Sequence, residues 1–218
     1  MVVRSFDINK DPFCPHENDE ELLGAEIPYF SVIGALMYHT NNSRPDIAFP
    51  ISLLSRFSSS PTRRHWNGIK HLFRYLRGTI DMGLFYSNES MSQLIGYADT
   101  GYLSDPHKGG SQTGYLFTCG VTAISWCSIK QMMVATSSNH VEIMAIHEVS
   151  RECVLLISVT RHIQEICGLS WGNDMPIILY EDNVACITQL KGEYINGDIL
   201  KHISLKTNSR MIFKRMVK

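Results

Sequence analysis

The apolar positions of this chain keep a helical period over its first third and then shorten to a period of two. From Tyr29 to Met37 they recur at helical spacing, with Phe30, Ile33, Gly34 and Met37 on the predicted inner face, until "HTNNSRP" ends the pattern. Pro45 then stands where a helix can begin, because a first turn has no use for the missing N–H. Ile47, Ile51, Leu54 and Phe57 space a second buried face. "SSSPTRRHWNGIKHLFRYLRGT" repeats the design, with Ser60 or Thr62 placed to cap, Pro61 near the start and Gly78 at the end. Its apolar stripe, Trp66, Ile69, Phe73 and Leu76, runs beside a basic one, Arg63, Lys70, Arg74 and Arg77.

After "SNESMS" the pattern becomes strand-like. Residues 94–99, about 113–119 and about 122–128 are short alternating runs punctuated by Gly109–Gly110 and Gly120, which predicts an antiparallel three-strand meander. A long helix is predicted from about Asn139 to Cys167, with Val141, Ala145, Val149, Leu156, Ile163 and Ile166 inward. "PIILYED", 176–182, reads as a buried strand and "NVACITQLK" as the helix after it. Strands, helix, strand and helix make a mixed-sheet α/β domain over 91–218, preceded by a helical segment over 29–90 and a polar lead-in over 1–28.

Composition narrows the possibilities. With 44% hydrophobic and 19% charged residues the chain is globular, and a net charge of −1 confines any nucleic-acid surface to a local patch such as the basic stripe. Its densest apolar run, Cys153 to Val159, is far short of a membrane span, and no signal-peptide pattern opens the sequence. The six cysteines are scattered without a C-x-x-C pair, as expected for reduced thiols in the cytoplasm or nucleus.

Three carboxylates occupy special positions. Asp99 ends the first strand, Glu142 lies in the first turn of the long helix, and Asp182 ends the fourth strand. Each has an ordinary explanation: Asp99 as a turn residue before Gly101, Glu142 as the capping-box partner of Asn139, Asp182 as a helix cap. Together they fit a crevice where carboxylates converge and a hard divalent cation, Mg²⁺ or Mn²⁺, relieves their repulsion. Two such ions, roughly 4 Å apart, serve phosphodiester hydrolysis by activating water and stabilising the leaving oxygen. His140, the histidine nearest these acids, reads as a first-turn surface residue. The basic stripe is either a solvated face or a helix that tracks phosphates.

"YADTGYLSD", "SQTGYLFTCGVTAISWCSIKQ", "ATSSNHVEIMAIHE" and "LYEDNVACI" closely resemble the ribonuclease H domain of copia-type long-terminal-repeat retrotransposon Pol polyproteins. Upstream, "GALMYHTNNSRPDIAFPISLLSRFSSSPTRRHWNGIKHLFRYLRGTIDMGLFYS" is similar to the segment joining the reverse transcriptase to that domain. The resemblance runs from about Leu23 to Ser204. It implies a ribonuclease H-like fold in which Asp99, Glu142 and Asp182 bind two Mg²⁺ (or Mn²⁺) ions and cleave the RNA strand of an RNA–DNA hybrid, leaving a 3′-hydroxyl and a 5′-phosphate. Asn183 and Ser138 would shape the site or cap helices, and the basic stripe would grip the hybrid backbone. In the parent polyprotein the partner is the reverse-transcriptase domain.

The sequence also departs from the family. A fourth carboxylate is expected on a final helix after a fifth strand, yet "KHISLKTNSRMIFKRMVK" contains no Asp or Glu and leaves the family pattern after about Ser204. The fifth strand and last helix are therefore expected to be missing and the hydrolysis weak or absent. No paired-aspartate motif is present, which excludes DNA synthesis by this chain alone. The alternative is a non-catalytic nucleic-acid-binding protein or neutral relic of a decayed element.

Overall fold

Three helices build the first of two units, Met1–Phe85, and a sheet with two helices builds the second, Tyr86–Lys218. The computed structural model describes residues 20–86, 93–105, 110–131, 137–168, 177–191 and 211–215. Most of the lead-in, Asn88, Gly109 and nearly all of the basic tail lie outside them.

In the first unit, α1 spans Tyr29–Asn42, a 3₁₀ turn at Pro45–Ile47 leads into α2, Ala48–Ser55, and α3 spans Arg63–Gly78. Tyr29, Ile33, Leu36, Ile47, Ile51, Leu54, Ile69 and Leu72 form the core. The inner face of α1 is rotated from the predicted one, since Phe30 is 75% exposed while Tyr29 is buried. A helical repeat admits either of two neighbouring stripes, and Tyr29 prevails because its hydroxyl also donates to the Leu54 carbonyl at 2.9 Å. The same rotation buries Leu72 in α3 and exposes Phe73. Thr62 is the N-cap of α3, in a capping box whose other member is His65, with Nδ1 accepting from the Thr62 N–H at 3.0 Å. Glu20 pairs with Arg64 at 2.7 Å, and the Leu23 N–H donates to the Pro61 carbonyl at 2.8 Å.

In the second unit, β1 (Leu94–Asp105), β2 (Gly110–Cys119) and β3 (Thr122–Lys130) form the antiparallel meander. Helix α4, Ser138–Cys167, crosses to β4, Ile177–Glu181, which lies parallel to β1. Helix α5, Val184–Lys191, follows. The sheet order is β3-β2-β1-β4-β5, the mixed arrangement of a ribonuclease H-like fold. Here the structure corrects the sequence expectation, because the fifth strand is present: Met211–Arg215 pairs parallel to β4 from Ile177↔Met211 to Glu181↔Arg215. Loss of the family's motifs hid it, yet the short run "MIF" suffices once a parallel partner offers its open edge and Phe213 packs on the core.

One sheet face carries Ala98, Phe117, Ile177 and Leu179 against Val149 and Cys153 of α4. The backbone of Gly96 comes so close to this packing that a Cβ would collide with Leu179 and lie 2.6 Å from the Phe117 ring. Val141, Ala145 and Val149 are buried as predicted, whereas Ile163 and Ile166 are exposed. Geometry explains this difference: a 30-residue helix is roughly 45 Å long and outruns strands that cover only its first half. Gly168, left-handed at φ 63°, ends α4. No described helix is long and apolar enough to cross a membrane, and the five described cysteines are all free.

Candidate metal centre

Each of the three ordinary explanations for the acids fails against the geometry. Asp99 is no turn residue: β1 continues through it to Asp105, and it pairs with Gly114 of β2. Glu142 is not the capping glutamate of α4, because the N-cap is Ser137, whose hydroxyl accepts from the His140 N–H at 3.3 Å. Ser137, one residue before the expected Ser138, therefore does the capping and sets Glu142 in the second turn, facing inward. Asp182 does not cap α5 either; Asn183 does, its Oδ1 accepting from the Cys186 N–H at 3.1 Å.

The strand order sets the acids near one another. Parallel strands β1 and β4 are in register at Tyr97↔Tyr180, whose rings stack with centroids 5.4 Å apart. Asp99 and Asp182 each stand two residues beyond that pair, toward the same end of the sheet. Gln131 fixes the start of α4 over this end, its Nε2 donating to Thr113 Oγ1 at 2.9 Å and to the Val141 carbonyl at 3.0 Å.

A cluster that sequence reasoning missed in part then emerges. Ligand oxygens of Glu142, Glu181 and Asp182 all lie within 4.8 Å of one another, the one such grouping among the described residues. Glu142 and Asp182 were expected; Glu181 was not. Asp99 is exposed and outside this grouping, though its charge is felt at Glu142. His140 is half-buried and outside it as well. Burial pushes the Glu142 carboxyl up to about 7, a shift that the Thr100 hydroxyl opposes and that the charges of Asp182 and Asp99 reinforce. Glu181 is pushed up to about 8, again mainly by burial and then by the charge of Glu142. The Oε2 atoms of Glu142 and Glu181 are buried without a hydrogen-bond partner. Oxygen donors of this kind, negative and unsatisfied, fit a hard divalent cation.

The basic stripe belongs to the first unit. Arg63, Arg74 and Arg77 are exposed on α3 and Lys70 is half-buried there, so the helix offers its cations to solvent along one side.

No protein-family model matches the chain. It is 39% identical over 135 residues to Secreted RxLR effector protein 161 of Plasmopara viticola, covering 62% of this chain and 95% of that protein. It is 36% identical over 193 residues to the retrovirus-related Pol polyprotein from transposon TNT 1-94 of Nicotiana tabacum, covering 88% of this chain and 14% of the polyprotein. The chain thus spans about a seventh of that polyprotein. Among solved structures, LC11-RNase H1 from compost aligns over 58% of this chain and 85% of its own, at 17% identity and a TM-score of 0.39. That likeness is too slight to carry the fold, which rests on the strand order itself. With the motifs, the sheet and the relatives in agreement, the chain is a homologue of the retrovirus-related Pol polyproteins of plant transposons and contains a ribonuclease H-type domain.

Proposed function

We propose that the second unit hydrolyses the RNA strand of RNA–DNA hybrids, weakly, with Asp99, Glu142 and Asp182 as the residues that hold divalent metal. The observation that carries this reading is the carboxylate cluster built on two of the three family motif acids, in which Glu142 and Glu181 each keep a buried oxygen without a hydrogen-bond partner, with the third acid on the neighbouring strand. Bound Mg²⁺ or Mn²⁺ would supply an activated water and charge stabilisation at the leaving oxygen. The protein's own part is to hold the acids. Asn183 starts α5 just after Asp182 and so fixes the end of β4. Ser137 and Gln131 fix the start of α4 and with it Glu142. Hybrid selectivity would come from groove shape and 2′-hydroxyls, with Arg63, Lys70, Arg74 and Arg77 on backbone phosphates. The reverse-transcriptase domain of the parent polyprotein is the proposed partner, and the free cysteines agree with an intracellular, cytoplasmic or nuclear setting.

The weakness follows from the position of Asp99, which stands exposed and outside the grouping of the other acids. The same separation favours a second reading, a non-catalytic relic that still binds nucleic acid. Incubating purified protein with a labelled hybrid decides between them. Slow Mg²⁺- or Mn²⁺-dependent cleavage, abolished by Asp99→Asn, is the expected result. Salt-sensitive hybrid binding without cleavage at any metal concentration establishes the relic.

A further inference from the structure

We propose that Glu181 is a metal ligand of this centre, beside Glu142 and Asp182. The proposal rests on reading the cluster as a metal site and deepens it.

Glu181 follows Ile177 and Leu179 on the strand face that packs under α4, where an apolar side chain would complete the core. A carboxylate stands there instead, 1% exposed. Its two oxygens have different fates. Oε1 accepts from the Asp182 N–H at 3.0 Å and the Asn183 N–H at 3.2 Å, which pins the turn that carries Asp182. Oε2 has no hydrogen-bond partner, as is true of Glu142 Oε2, and both belong to residues more than nine-tenths buried. Glu142, Glu181 and Asp182 approach within 4.8 Å through single oxygens, a spacing that one cation can bridge. Two carboxylates this close, each with a buried oxygen left unpartnered, are costly without a cation or a shared proton between them. Fixing Oε1 on backbone N–H groups leaves Oε2 as the preorganised ligand atom, as supporting hydrogen bonds do for metal-bound carboxylates.

Glu181→Gln isolates the claim, because the amide oxygen can still accept from both N–H groups while the negative charge is lost. Mn²⁺ binding to the full chain is measured by titration calorimetry and by the loss of free-ion paramagnetic resonance signal, with circular dichroism to establish the fold. At least tenfold weaker Mn²⁺ binding by a folded E181Q is expected. Unchanged binding overturns the assignment, leaving a proton shared by Glu142 and Glu181, while the metal-site reading stands. Absence of Mn²⁺ binding by the wild-type chain overturns both. Glu181→Cys provides a second route: a thiolate ligand should raise the preference for Cd²⁺ over Mn²⁺ at least tenfold over wild type, and an unchanged preference counts against the assignment. Metal that binds through Glu181 without any cleavage of hybrid removes only the proposed activity.

Discussion

At the scale of single residues, the centre makes the metal-free protein pH-sensitive in a defined direction. Glu142 and Glu181 have folded pKa values raised to about 7 and about 8, so the folded chain retains protons that the unfolded chain has released. Their stabilising contribution is complete below about pH 4.5, falls as pH rises toward 8 and changes little beyond. Thermal melts in chelator should show the midpoint dropping across that window, and Mn²⁺ should restore most of the loss at pH 8. A midpoint that rises from pH 5 to 8 in chelator would contradict the buried placement of these acids. Gly96 tests packing instead: Gly96→Ala drives a methyl into Leu179 and Phe117 and is expected to cost about 1–3 kcal/mol, read by denaturant unfolding. Glu142 and Asp182, which the structure brings together, were marked in the sequence by the motifs around them, whereas Asp99, marked in the same way, stands outside their grouping. Glu181 was not marked, since a glutamate closing an apolar run reads as the strand's wet end. Only the position of α4 over β4 reveals that it is buried.

Elements sharpen the nucleic-acid proposal. The exposed Arg74 and Arg77 lie one turn apart on α3. Replacing both with Ala should weaken hybrid binding and reduce the slope of log affinity against log salt by up to about 2, without changing the fold. A slope identical to wild type makes the stripe a solvated face. For β5, Phe213→Ala removes a half-buried ring from the sheet core and is expected to cost about 2 kcal/mol. A neutral effect would mean the strand contributes little to the unit. Element type followed from periodicity for the meander, α4, β4 and α5, although β1 runs on to Asp105, past the predicted end at 99, and β2 begins at Gly110. Faces were harder to read. Period alone could not choose between Tyr29 and Phe30, nor reveal that Ile163 and Ile166 lie past the sheet, because burial depends on which neighbour reaches that far. The fifth strand was hidden for a related reason, since pairing with the β4 edge outweighs the weak local signal of five residues.

For the whole molecule, two separate cores imply separable stability. The helical core around Ile33, Ile51 and Ile69 and the sheet core around Phe117 and Leu179 share no residue, and calorimetry should resolve two transitions, of which Mn²⁺ raises only one. The strand order also fixes when the centre can exist during folding. Strand β1 meets β2 across a short connection but reaches β4 across about eighty residues, so the meander closes early and β4 docks late. Glu181 and Asp182 arrive with that late strand. A rate-limiting barrier that precedes this docking is crossed with the ligands still apart, and the ion then acts only after it. Divalent metal should therefore slow unfolding and leave the refolding rate nearly unchanged, making the ion a latch on the finished sheet rather than a guide to its assembly.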